Sequence, residues 1–141
     1  MPTQEERRAW NEQVIQEFRE NGGRVGGAFA GTPLLLLTTT GARSGEPRTN
    51  PLACRREGED LVVFGSNGGR TTDPAWVHNL RAKPEAEVEY GTARFPVLAR
   101  FAEGEERRRL WQAQVHDAPG FAGYATSAAP REIPVVVLTR I

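Results

Sequence analysis

Two spacings of hydrophobic and polar positions divide the chain. Near the N-terminus Trp10, Val14 and Phe18 recur at every fourth position among charged neighbours, which is the spacing of one helix face. Thr3 and Glu6 stand at capping-box spacing ahead of them, and Asn21-Gly22-Gly23 ends the pattern. This predicts an N-terminal amphipathic helix within residues 1–21, set apart from a main domain over residues 22–141. The apolar stripe is narrow, so the helix is expected to lie on the main body, with peripheral contact to a membrane or a partner as the alternative use. Gly22–Gly31 holds five glycines and reads as a linker.

Beyond Pro33 the period shortens to that of strands. Leu34–Thr40, Arg48–Cys54, Leu61–Ser66, Ala86–Tyr90, Ala93–Ala102 and Val135–Ile141 are short β-like runs separated by turn residues. In the fifth, Phe95, Val97, Ala99 and Phe101 alternate with Arg94, Pro96, Leu98 and Arg100, as in a half-buried strand. The connections Gly41–Pro47, Glu57–Asp60 and Gly91-Thr92 are short enough to make their neighbours antiparallel hairpins. Two helices interrupt the strands. One is predicted from Asp73 as N-cap and Pro74 as first residue to just before Pro84, with Trp76, Val77 and Leu80 inward; the other runs from Glu105 to about His116. Local antiparallel pairing with few helices predicts a mainly β (α+β) fold, a β-barrel or curled sheet with peripheral helices.

Composition narrows the function by exclusion. A chain of 141 residues with 38% hydrophobic and 26% charged residues makes about one soluble domain. Its longest apolar run, Leu34–Leu37, is far below the ~20 residues of a spanning helix, and no secretory pattern is read, so a cytoplasmic protein is expected. Basic and acidic residues balance at 18 each, which gives no sign of a nucleic-acid partner. Cys54, the single cysteine, reads as a small buried hydrophobe, and with His78 and His116 it gives no metal-ligand spacing. No metal site is expected. The common nucleophile and metalloenzyme motifs are missing too, so an enzyme built on this sequence is expected to borrow its chemistry from a coenzyme.

Three segments could hold that coenzyme. Gly41–Arg56 sets Arg43, Arg48, Arg55 and Arg56 against Glu46, and its glycine-bracketed turn at Arg43-Ser44 could hold phosphate or carboxylate oxygens. A solvated hairpin with scattered arginines accounts for the same residue types. Phe64–Arg70 delivers Ser66 and Asn67 into a glycine turn, and Asp73–Pro84 follows with His78 and Asn79 on its helix. Each also has an ordinary structural use.

Taken together, LTTTGARSGEPRTNP at Leu37–Pro51, then SNGG, DPAWVHNLRAKP and the closing IPVVVLTR resemble the deazaflavin-dependent nitroreductase family of split-barrel oxidoreductases, over nearly all of Gly22–Ile141. The resemblance implies a split β-barrel like those that bind FMN, with the reduced deazaflavin coenzyme F420 as hydride donor to a small electron-poor acceptor: a quinone, an enone or a nitro compound. FMN in the same barrel and a non-catalytic coenzyme carrier are the alternatives. It further implies that Arg43, Ser44 and Arg48 hold the coenzyme's phosphate and acidic tail, that Thr49, Asn50, Pro51 and Leu52 line its ring, and that Ser66 and Asn67 with Ala75, Trp76, Val77, His78 and Asn79 close the site. The sequence departs from the family at Ala42 and Asn67, where basic residues are common. Pro119–Ala125 reads as a mobile connection over the ring, with Phe121 and Tyr124 toward the acceptor and Tyr124 as candidate proton donor.

Overall fold

A computed structural model of the protein describes residues 3–27 and 31–141; residues 28–30 of the expected linker and residues 1 and 2 lie outside the described residues. Six antiparallel strands, β1 (Leu34–Thr40), β2 (Pro47–Glu57), β3 (Asp60–Phe64), β4 (Glu85–Tyr90), β5 (Ala93–Phe101) and β6 (Val135–Arg140), close into a barrel in the order β1-β2-β3-β6-β5-β4. Among the described residues four α-helices surround or plug it: α1 (Gln4–Glu20), α2 (Ala75–Ala82), α3 (Gly104–Asp117) and α4 (Phe121–Ala128). This is the barrel with peripheral helices that the sequence pattern anticipates, and the split-barrel architecture that the resemblance implies.

The four consecutive leucines of β1 are all buried, which a strand allows only when both of its faces are covered. Leu35 and Leu37 point into the barrel with Val63, Val88, Val97 and Leu138. Leu34 and Leu36 point outward and meet Val14 and Phe18 of α1. The helix starts where capping predicts, with Thr3 Oγ1 accepting the Glu6 amide at 3.1 Å. On the opposite wall α3 and α4 cover the outer face of β3 and β6, where Val62, Phe64, Val135 and Val137 pack with Leu110 and Ala128. The outer face of β4 and β5 has no such cover, and there Glu85, Arg94, Leu98 and Arg100 are exposed.

Helix α2 has a different task. Trp76, Val77 and Leu80 sit in the barrel core itself, so this helix plugs an end of the barrel. It begins one residue later than predicted: Pro74 is the cap, with extended backbone at φ −67° and ψ 155°, and Asp73 makes no cap hydrogen bond. Asp73 is held instead by Arg131, at 2.6 Å. Other boundaries differ as well. β2 reaches beyond Arg48–Cys54 at both ends, because hairpin pairing to β1 continues to Pro47 and pairing to β3 continues to Glu57. β3 stops at Phe64, so Ser66 lies in the following loop. The expected mobile connection at Pro119–Ala125 is mostly the start of α4, whose aromatic and alanine side chains dock on the barrel wall.

Two predictions test how α1 is held. Phe18 is almost fully buried, so Phe18→Ala should cost about 3–5 kcal/mol, read as a lower urea midpoint at unchanged m-value. Arg19 grips Glu89 of β4 through two hydrogen bonds at 3.0 and 2.9 Å, and this holds the Glu89 carboxyl below its ordinary value of 4.5. A lowered folded value means that the pair contributes fully above about pH 4.5 and loses its contribution as pH falls through the folded value. Stability measured at pH 7 and at pH 3 should therefore differ less in Arg19→Ala than in the wild type.

Candidate functional site

The barrel is not sealed along its whole height. β2 pairs with β1 from Pro47 to Ala53, but with β3 only from Cys54 to Glu57. Past the Cys54–Val63 pair the two strands part, and the β2 edge from Arg48 to Ala53 has no strand partner among the described residues. An unpaired edge presents backbone N–H and C=O groups to whatever lies beside it. β3 ends at this opening, and the loop Gly65–Asp73 leaves from it.

Side chains along this edge alternate, which splits the residues that the resemblance assigned to the ring. Arg48, Asn50 and Leu52 pair with Thr39, Leu37 and Leu35 and so share the inward face. Thr49 and Pro51 pair with Thr38 and Leu36 and share the outward face, where the Thr38 and Thr49 hydroxyls bond at 2.7 Å. A flat ligand along β2 can thus meet the backbone and one of these two sets of side chains.

At one end of the edge is the β1–β2 turn. Gly45, at φ 73°, closes it, the Gly41 amide donates to the Glu46 carbonyl at 2.8 Å, and Ser44 Oγ accepts the Glu46 amide at 3.1 Å. Arg43 is exposed and makes no ion pair or hydrogen bond among the described residues. The amides of Arg43 and Ser44 likewise have no protein acceptor there. Arg48 is paired only loosely, 3.7 Å from Glu46, and more than half of its side chain is exposed. The turn therefore offers two guanidinium groups and two free amides, a donor set suited to phosphate or carboxylate. Arg55 is not part of it: its guanidinium ties Asp117 and Glu57, which fastens α3 to β2.

Asn79 joins this turn to the barrel plug. Its Oδ1 accepts the Ala42 amide at 2.9 Å and its Nδ2 donates to Thr39 Oγ1 at 3.0 Å. Its side chain is therefore buried, with both ends of its amide engaged within the protein. Trp76 and Val77 are core residues for the same reason of burial, which leaves Ala75 and His78 as the exposed members of that group.

The loop Gly65–Asp73 takes three left-handed residues in succession, Asn67 at φ 49°, Gly68 at 64° and Gly69 at 82°. Asn67 tolerates this better than most side chains, and its amide donates to the Thr72 carbonyl at 3.0 Å. Gly69 lies against α4 so closely that a Cβ there would stand 2.9 Å from Ser127 Cβ and 3.4 Å from Tyr124 Cα. The FAGY segment is thereby brought beside the SNGG loop. Phe121 turns the other way, its ring packed edge to face on Phe64, Trp111 and Tyr124. These contacts hold α4 to the barrel wall. Tyr124 stands at the edge of the cluster, 37% exposed.

Two surface clefts lie elsewhere. One of about 450 Å³ beside α1 is lined by Glu17 and Glu20, and one of about 400 Å³ between α3 and α4 is lined by Trp111, Val115, Ala122 and Ala125. Neither has a lysine or arginine in its lining, so neither suits an anionic coenzyme.

The chain is similar to an F420H(2)-dependent quinone reductase of Mycobacterium tuberculosis, 40% identical over 127 residues that cover 87% of this chain and 85% of that protein. It also resembles the solved structure of an F420-H2 dependent reductase, FDR-A, with 38% identity, a TM-score of 0.69, and coverage of 75% of this chain and 93% of that one. The heme storage protein HutZ of Vibrio cholerae shares the fold, at 16% identity and a TM-score of 0.60 over 93% of this chain and 90% of that one. Residues 10–140 match the family described as F420H(2)-dependent quinone reductase, and the chain belongs to that family of oxidoreductases.

Proposed function

We propose that this enzyme uses reduced coenzyme F420 to reduce quinones, and that the coenzyme lies along the open edge of β2 with its anionic end on the Arg43–Arg48 turn. The observation that carries the placement is the coincidence of an unpaired strand edge with uncommitted cationic and amide donors at one end of it. These residues fit the coenzyme's two demands, an anion cradle and a flat surface. Reduced coenzyme F420, when bound, supplies a hydride, which with one proton takes a quinone to its hydroquinone.

The chain's share of the reaction is to bind, orient and exclude water. Arg43, Ser44 and Arg48 anchor the acidic end; Asn50 and Leu52, on the inward face of β2, support the ring; Ser66, whose hydroxyl makes no hydrogen bond among the described residues, and Asn67 bound the site across the opening. Ala75 and His78 contribute the exposed face of α2. Tyr124 of α4, whose Cα lies beside Gly69, is the candidate to lend a proton to the acceptor oxygen. The relatives' names favour a quinone as acceptor; enones and nitro compounds are further acceptors to test. Steady-state oxidation of the reduced coenzyme with a quinone, an enone and a nitroaromatic decides the class. The reading requires quinone turnover, and coenzyme binding with no turnover on any acceptor would make the protein a carrier. FMN supporting the same turnover would replace the coenzyme assignment.

Two outcomes follow from the site. Arg43→Ala and Arg48→Ala should each weaken coenzyme binding by about 1.5–3 kcal/mol in fluorescence titrations at low salt, with a smaller loss at high salt. Cys54 is buried in β2 and its thiol is pushed up to about 12 by burial, so thiol reagents should leave turnover nearly intact and Cys54→Ser should retain hydride transfer.

A further inference from the structure

Arg131 lies just past α4, outside every segment that the sequence reading connects with the coenzyme, yet its side chain is only 12% exposed. A guanidinium has five N–H bonds, and here all five are used. Nε donates to the Arg70 carbonyl at 3.1 Å and Nη2 to the same oxygen at 2.8 Å. Nη2 donates to the Ser66 carbonyl at 3.1 Å, and Nη1 donates to the Gly65 carbonyl at 3.0 Å and to Asp73 Oδ1 at 2.6 Å. Every one of these acceptors belongs to the loop Gly65–Asp73. Within it Asn67 takes a positive φ that non-glycine residues seldom adopt, followed by Gly68 and Gly69 in the same region.

We propose that Arg131 is a positioning residue for the coenzyme site: it folds the Gly65–Asp73 loop around one guanidinium and so fixes Ser66 and Asn67 opposite the open edge of β2. With no N–H left over it cannot itself bind the coenzyme's anionic groups, and Asp73 balances its charge. The same residue ties the loop to α4, since Arg131 follows that helix directly and Gly69 rests on Ser127 and Tyr124. The coenzyme side and the acceptor side of the site are thereby set by one clamp. Lysine, with three N–H groups and no planar fork, can satisfy at most three of the five bonds.

The proposal rests on the placement given under Proposed function, and its test separates the two. Hydrogen exchange of the coenzyme-free protein should show faster exchange of the amides of residues 66–73 in Arg131→Gln, with barrel amides unchanged, and an intermediate effect in Arg131→Lys. Coenzyme Kd from fluorescence titration should rise at least about tenfold in Arg131→Gln, and less in Arg131→Lys. Should the Gln variant fail to fold, the Lys variant carries both measurements. A purely structural role would lower the unfolding midpoint and leave the Kd of the folded protein unchanged, and that result, or unchanged loop exchange, overturns the proposal. Arg43→Ala is the control for the placement. If it weakens binding while the Arg131 variants do not, only the clamp is lost; if Arg43→Ala also binds normally, the placement fails, and loop exchange still decides whether Arg131 orders the loop.

Discussion

Paired strands in a barrel satisfy one another's hydrogen-bonding groups, and here β2 and β3 part beyond Cys54 and Val63. Everything attributed to the site depends on this separation. It leaves six residues of β2 with a backbone edge that no strand covers, and it releases the chain after Phe64 into the loop that faces that edge. It also sets the β1–β2 turn, with its uncommitted arginine, at the end of the opening. An edge strand without cover is a liability in water, and a bound planar molecule is one way of covering it.

Keeping an opening in a small barrel requires the remaining walls to be firm. Two of them are covered on both faces: β1 lies between the barrel core and α1, and β3 with β6 between the core and the α3–α4 layer. Helix α2 plugs the barrel with Trp76, Val77 and Leu80 and ties the arginine turn through the two hydrogen bonds of Asn79. Most ion pairs lie on the outside, where solvent screens them. The Arg131–Asp73 pair differs in being largely buried, with every N–H of its guanidinium hydrogen-bonded, and it sits at the loop that holds Asn67, a non-glycine residue at positive φ.

The chemistry of the family suits such a scaffold. Hydride transfer from a coenzyme asks for orientation and dryness more than for a nucleophile, a demand that conformationally special residues can meet. Asn67, Gly68 and Gly69 are of this kind, as is Asn79. None is a reactive side chain, and each fixes where another group stands.

The sequence by itself determined the local architecture: the helix stripe of α1, the alternation in β5, the hairpin turns and the apolar runs that need cover on both faces. All of these are set by neighbours within a few positions, which is why the six strands and three of the four helices are legible without coordinates. It also exposed the arginine turn and the SNGG loop, through residue types and through resemblance. Only the tertiary structure decided which of those residues are free. Asn79 looks available on paper and is buried; Phe121 reads as part of a mobile connection and packs in an aromatic cluster; Asp73 looks like a helix cap and is the partner of a residue 58 positions away. The role of Arg131 has no local signal at all, because its four acceptors are brought to it by the tertiary fold, and a hydrogen bond between distant parts of a chain leaves no periodicity to read.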